Sequence, residues 1–236
     1  MEEEKKPGQR PGSLRTLFNV ITSPGEAFHA VAENPKPLVP VLIIAAVNLM
    51  VALVTLPKTK EFTAILLEQL KAPPEQIAAS MKVIGVSTVA GAIVMPLLIW
   101  LLEAAFLKLA DQFAARSTSF KSLFTVSVLA WVPAALGNMI KMVLVLMAPA
   151  KDLMLVQTSL AVLLPRGRTT GALFAVLSKI DPFIIWNLVL LAIGAGVVLK
   201  IGTKRAAAYV FVLWLVYVVL AGILGVVSGQ KMPAAM

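Results

Sequence analysis

The stretch DPFIIWNLVLLAIGAG, residues 181–196, opens with a carboxylate and a proline and then becomes almost wholly apolar. Proline is favoured at the first position of a helix, and an aspartate just before it accepts hydrogen bonds from free backbone N–H groups. A membrane-spanning helix needs roughly 20 apolar residues, and this run supplies most of them. The stretch therefore predicts a transmembrane helix capped by Asp181, with Phe183 and Trp186 at interfacial depth.

The composition of the whole chain favours a membrane protein. Of its 236 residues, 59% are hydrophobic and 14% are charged, whereas soluble domains carry about 25% charged residues. Five apolar runs have lengths suited to a membrane span: 38–56, 83–109, 123–148, 182–199 and 206–227. We therefore predict an all-α polytopic membrane protein with five transmembrane helices and short interfacial amphipathic helices.

The domain organisation follows from where the polar segments fall. We expect a disordered polar tail, a cytoplasmic amphipathic or interfacial segment, the five-helix transmembrane domain and a short C-terminal tail, at 1–13, 14–37, 38–228 and 229–236. The second segment predicts two short helices, the second with a capping box formed by Ser23 and Glu26. These helices either lie in the membrane interface or pack against the same protein. Residues 149–180 fit a re-entrant, interfacial or soluble segment equally well.

Several classes of function are disfavoured by the residues that are missing. The chain has no cysteine and a single histidine, His29, so disulfides, thiol chemistry and histidine-based metal sites have little to build on. It lacks the short motifs of serine hydrolases, zinc proteases and nucleotide-binding loops. We therefore predict no enzyme activity, no cofactor and no bound metal.

The positive charge of the chain indicates lipid partners. The net charge is +9, and the basic residues are scattered among short loops, which suits anionic headgroups and not nucleic acid. The two sides of the predicted domain barely differ in basic residues, so the compact loop KIGTKR at 200–205 decides the orientation. We predict a cytoplasmic N-terminus and an outside C-terminus.

Three polar residues inside the apolar runs are candidates for an intramembrane site. Ionisable residues within spans are rare and usually functional. Glu103 is a lone carboxylate in the second run, and Asn138 and Lys141 share a helical face in the third. We predict an ion pair between Glu103 and Lys141, which is either a structural clasp or a polar site for a lipid headgroup, an ion or a proton. Lys108 and Asp111 are three residues apart and predict a pair on the helix surface.

Small residues in the last run predict close helix packing. Gly225 and Gly229 form a GxxxG motif, and Gly222 precedes them by about one turn. Such a motif lets two helix backbones approach closely. We favour packing within one chain over a dimer interface.

Four segments together resemble the Yip1 domain family, in particular its bacterial members. They are SPGEAFHAVAENPKPLVPVLIIAAVN (23–48), SVLAWVPAALGNMI (127–140), LSKIDPFIIWNLVLLAIGAG (177–196) and KIGTKRAAA (200–208). Asp181, Phe183 and Trp186 match the Asp-x-Phe-x-x-Trp entry of the family's fourth helix. The resemblance covers roughly 20–228 and implies five transmembrane helices with a cytoplasmic N-terminus. Eukaryotic members are associated with Rab GTPases in trafficking, a role that is not expected in a prokaryotic member.

The leading functional prediction is a non-enzymatic integral membrane protein of a prokaryotic cytoplasmic (inner) membrane. It would act as a membrane organiser or adaptor that binds lipids and a membrane protein partner or a second copy of itself. The alternative is a small transporter, channel or lipid scramblase with a polar site around Glu103, Asn138 and Lys141. For Asp181, a cap and a site residue are the two interpretations.

Overall fold

The computed structural model describes residues 13–113, 117–165 and 170–229, and every regular element in these ranges is helical. Two short 3-10 helices, Ala150–Leu155 and Leu160–Leu163, follow the sixth of nine α-helices in this part of the chain. The predicted tails fall outside the described ranges except for their inner ends, Ser13 and Gly229. The α-helices are α1 Ser13–Thr22, α2 Pro24–Glu33, α3 Leu38–Gln69, α4 Pro74–Phe113, α5 Phe120–Ala130, α6 Val132–Met147, α7 Gly171–Leu177, α8 Pro182–Val198 and α9 Thr203–Gly229.

The predicted fold class is confirmed by helices that are long and apolar enough to cross a membrane. Four such spans are Leu38–Gln69, Pro74–Gln112, Phe120–Met147 and Thr203–Val226. The third of these joins α5 and α6 through Trp131. A fifth is formed by α7 and α8 if this pair, bent by 53°, crosses as one broken helix.

Helices α3 and α4 extend well beyond the predicted spans. They have 32 and 40 residues, or about 48 and 60 Å at 1.5 Å per residue, against a hydrocarbon core of about 30 Å. The residues that follow the predicted span 38–56 continue α3 through Pro57 as far as Gln69. The two helices form an antiparallel hairpin in which Lys60 lies next to Gly85. Both helices are therefore longer than the hydrocarbon core of a bilayer is thick.

Helix α2 is part of the core of the protein. Phe28 and Val31 are buried, and Phe28 fills the space beside Gly194 in α8. Pro24 opens the helix as predicted, but the Ser23 side chain makes no capping hydrogen bond, so the predicted capping box is wrong. The sequence left two alternatives for this segment, the membrane interface or packing against the same protein. Helix α2 follows the second, because it packs on other helices of the chain.

Helix α8 lies in the centre of the bundle. Its buried leucines pack on those of α5, for example Leu190 and Leu191 with Leu123 and Leu129 in one apolar cluster. At its carboxyl end the chain turns tightly into α9. The turn leaves no room for a side chain at Gly196, since a Cβ there would lie 2.8 Å from the backbone of Thr203. The position of α8 therefore determines which helices surround the segment between α7 and α8.

Candidate functional site

The site begins at the break between α7 and α8. Asp181 caps α8, with Oδ1 accepting a hydrogen bond from the backbone N–H of Phe183 at 2.8 Å. The predicted cap is therefore confirmed. The second carboxylate oxygen accepts a hydrogen bond from the Thr158 hydroxyl, which ties the 3-10 segment to the break. Helix α8 has 17 residues, about 26 Å, which is at the short end of the usual range for a span, and α7 and α8 together form the bent pair described above.

The break lies beside the middle of α9. The Lys179 ammonium lies 5.5 Å from the centre of the Tyr217 ring, and Tyr217 is near the midpoint of Thr203–Gly229. Helix α7 then runs along the second half of α9, where Val176 lies against Gly222. The segment 178–181 therefore separates α7 from α8 next to an apolar run of α9.

Close contacts at glycines hold this arrangement. A Cβ on Gly225 would lie 2.7 Å from Cβ of Ala175, and one on Gly137 would lie 2.6 Å from the Phe183 ring. Gly222 and Gly225 thus pack against α7 of the same chain, while the surroundings of Gly229 lie outside the described side chains. Phe183 packs inside the bundle, and Trp186 is 37% exposed. Interfacial depth remains a prediction for Trp186.

A cavity of about 500 Å³ lies between α4, α8 and α9. Trp131, at the junction of α5 and α6, and Lys179, at the α7–α8 break, also line it. Most of the lining is apolar, and its charged side chains are Glu103 and Lys179. The volume is within the range of small-molecule sites.

The partner of Glu103 in this cavity is Trp131. The indole Nε1 donates to both carboxylate oxygens, at 2.9 and 3.1 Å. The described ion pairs do not include one with Lys141, which is exposed on α6, so the predicted Glu103–Lys141 pair is wrong. Because Trp131 is level with Glu103, Lys141 lies ten residues, or about 15 Å, further along α6.

The predicted polar cluster is thus divided between two places. The Asn138 amide donates to Oδ1 of Asn48 at 3.2 Å and joins α6 to α3. Asn138 and Lys141 are both exposed on the outside of the bundle. Glu103 alone of the three predicted residues lines the cavity.

Two further polar residues of the cavity were missed by sequence reasoning. Asn187 is 2% exposed, and in the described part of the chain its Nδ2 has no hydrogen-bond partner. Trp214 also lines the cavity, and its buried Nε1 is likewise without a partner among the described residues. Lys179 was missed as well, because α7 is too short to be recognised as part of a span. For Asn187 the available signal was its position as a polar residue inside an apolar run, a position that Asn48 also has in the first run.

The cavity opens sideways between α4 and α9. Three of its lining residues also face outward, because Leu102, Phe106 and Tyr217 are 58%, 45% and 52% exposed. Next to this opening the Tyr209 hydroxyl of α9 donates to the backbone carbonyl of Phe106 in α4 at 2.6 Å and joins the two helices.

The carboxyl end of α4 carries a different polar cluster. The Lys108 ammonium lies 2.7 Å from Asp111, as predicted for this pair. Asp111 is fully buried, however, and accepts hydrogen bonds from both the backbone N–H and the hydroxyl of Thr118. This cluster joins the end of α4 to Thr118, which lies just before α5.

The fold and the cavity define a multi-pass helical membrane protein. The chain belongs to the Yip1 domain family, whose model matches residues 18–224. It is 27% identical over 230 residues to the membrane protein YknW of Bacillus subtilis (strain 168), covering 91% of this chain and 93% of that protein. No solved structure shows significant similarity to it. In the described ranges, no group of three histidine, cysteine, aspartate or glutamate residues is placed to hold a metal ion.

Proposed function

We propose that this Yip1-domain protein is a non-enzymatic membrane organiser that binds a lipid between its own helices. The observation that carries the proposal is the cavity of about 500 Å³ with Glu103 and Lys179 in an otherwise largely apolar wall. Apolar walls suit the glycerol and upper acyl carbons of a lipid, and the charged side chains suit its headgroup. The headgroup enters between α4 and α9, where Leu102 and Phe106 face outward.

The adaptor part of the function belongs to α1. Leu14 and Phe18 in this helix are 69% and 68% exposed, while Val20 is buried in the core. An exposed apolar face on an anchored helix suits a membrane interface or a protein partner. Deleting the whole N-terminal region would also remove Phe28 from the core, so the paired substitution Leu14→Ser and Phe18→Ser is the better test.

The proposed orientation has the N-terminus in the cytoplasm and the C-terminus outside. Lys200, Lys204 and Arg205 surround the short turn between α8 and α9. Short loops rich in lysine and arginine remain in the cytoplasm and contact anionic headgroups there. Cysteine accessibility provides the test: a cysteine placed at Lys204 is labelled only from inside, and labelling from outside would reverse the topology.

A second candidate function is passage of a lipid or small solute through the bundle. The α7–α8 break favours it, because transporters place polar groups at interrupted helices deep in the membrane. Lys179 and Asp181 occupy such a break. A fluorescent-lipid flip assay in proteoliposomes separates the candidates, since a binding protein without transport gives the rate of empty liposomes.

Lipid binding in the cavity is tested by filling it. Leu213 lines the cavity, whereas Leu215, two residues away on α9, is 56% exposed on its outside. We expect Leu213→Trp to lose a lipid that co-purifies with the wild type in native mass spectrometry, and Leu215→Trp to retain it. Equal lipid content in both variants would show that only annular lipid is present and would contradict the proposal.

A further inference from the structure

We propose that the cavity selects a zwitterionic aminophospholipid, with its ammonium at Glu103 and its phosphate at Lys179. This inference rests on the proposed lipid binding and adds the class of headgroup. The argument starts from the two charged side chains that line the same cavity and have opposite signs. Among the described ion pairs there is none between Glu103 and Lys179.

Each charge is held by an aromatic neighbour. Trp131 donates to Glu103, and the Lys179 ammonium lies over the Tyr217 ring at 5.5 Å. Neither contact neutralises the charge, because an indole N–H and a π face are both uncharged groups. The cavity therefore contains a carboxyl group and an amine without a counter-charge among the described residues, and a ligand that carries both opposite charges would stabilise the ionised form of each.

A ligand with both charges satisfies this arrangement better than one with a single charge. An anionic headgroup would pair with Lys179 but place a second negative charge beside Glu103. A purely cationic ligand would leave Lys179 without a counter-charge, and uncompensated charge is costly at low dielectric. An ethanolamine headgroup carries an ammonium and a phosphate on one short chain and balances both side chains.

Two residues of the cavity wall carry donor groups without a partner among the described residues. The Nδ2 of Asn187 and the Nε1 of Trp214 are buried without hydrogen-bond partners within the described structure, and both residues line the cavity. Buried donors are nearly always satisfied in folded proteins. The lateral opening beside Leu102 and Phe106 favours a membrane lipid as the source of the headgroup.

The test measures lipid preference by native mass spectrometry on the full chain in detergent. Phosphatidylethanolamine and phosphatidylglycerol with identical acyl chains are added at equal concentration. For the wild type we expect phosphatidylethanolamine to be favoured about tenfold, since one charge-assisted contact is worth about that factor. The wild-type measurement requires no substitution, so it does not depend on the folding of a variant.

Two variants then assign the charges. Glu103→Gln leaves only Lys179 and should reverse the preference towards phosphatidylglycerol, while Lys179→Gln should weaken the binding of both lipids about tenfold. The matched controls are Glu75→Gln at the exposed start of α4 and Lys141→Gln on the outside of α6. Both controls should keep the wild-type preference.

The outcomes separate this inference from the proposed function. Equal or greater binding of phosphatidylglycerol by the wild type, or an unchanged preference in Glu103→Gln, would overturn the zwitterion assignment even if Leu213→Trp still abolishes lipid binding. If Leu213→Trp instead retains as much lipid as the wild type, lipid binding in the cavity is itself contradicted. Displacement by equimolar glycerophosphoethanolamine would identify a free zwitterion as the ligand and overturn the lipid assignment.

Discussion

Helix α4 carries two carboxylates, Glu103 and Asp111, in very different surroundings. Asp111 is fully buried, paired with Lys108 and bonded twice by Thr118. Glu103 is half-buried and bonded only by the Trp131 indole among its described contacts. A charge that is balanced by its own protein stabilises the fold, whereas a charge left unbalanced in a cavity is available to a ligand. The comparison predicts that substitutions at the two sites separate stability from lipid binding.

The largest effect is expected at Asp111. Replacement by alanine removes the ion pair with Lys108 and leaves the backbone N–H and hydroxyl of Thr118 without their acceptor. The carboxylate of this pair is fully buried and the lysine is 33% exposed, so its loss should lower the free energy of unfolding by about 2–3 kcal/mol. Denaturant unfolding in detergent measures it, with the exposed Glu75→Ala as the control, and equal stability of the two variants would remove the contrast with Glu103.

The contact between α6 and α8 should be nearly as sensitive. In Gly137→Ala the added methyl group meets the Phe183 ring at 2.6 Å, and overpacking of this kind should cost about 2 kcal/mol. Gly91→Ala is the matched control, since a Cβ there meets nothing within 4 Å. Helix propensity should make the control slightly more stable, by about 0.5–1 kcal/mol. A harmless Gly137→Ala would show that Phe183 is free to move.

A smaller loss is expected at the cap of α8. Asp181→Ala removes the acceptor for Phe183 and for Thr158, which should cost about 1–2 kcal/mol. Asp181→Asn retains a side-chain oxygen for the cap and should keep most of the stability. Thermal unfolding compares the two variants. Should Asp181→Asn abolish lipid retention without loss of stability, Asp181 would be a site residue as well as a cap.

The smallest effect on stability is expected at Glu103 itself. In Glu103→Gln the amide oxygen still accepts from Trp131, so the free energy of unfolding should change by less than about 1 kcal/mol. The same unfolding assay as for Asp111 measures it. A loss comparable to that of Asp111→Ala would make Glu103 a structural residue and remove the distinction on which the comparison depends.

The sequence predicted those features that depend on neighbouring residues. The spans and the cap at Asp181 are local, and the Lys108–Asp111 pair joins residues three apart on one helix. It failed for the distant contact, because Glu103 meets Trp131 in place of Lys141. One local prediction also failed, since the capping box at Ser23 did not form. Periodicity shows which residues share a helix face but not the height at which two helices meet.

By itself, the sequence determined a helical membrane protein of the Yip1 type, because a bilayer accepts only apolar segments whose backbone groups are bonded internally. Only the tertiary structure decided that Glu103 and Lys179, 76 positions apart in the chain, line one cavity. That meeting depends on the contacts of Gly222 and Gly225 with α7, which place the α7–α8 break beside the middle of α9. Such contacts depend on the shapes of two helices at once, so one helix read alone does not reveal them.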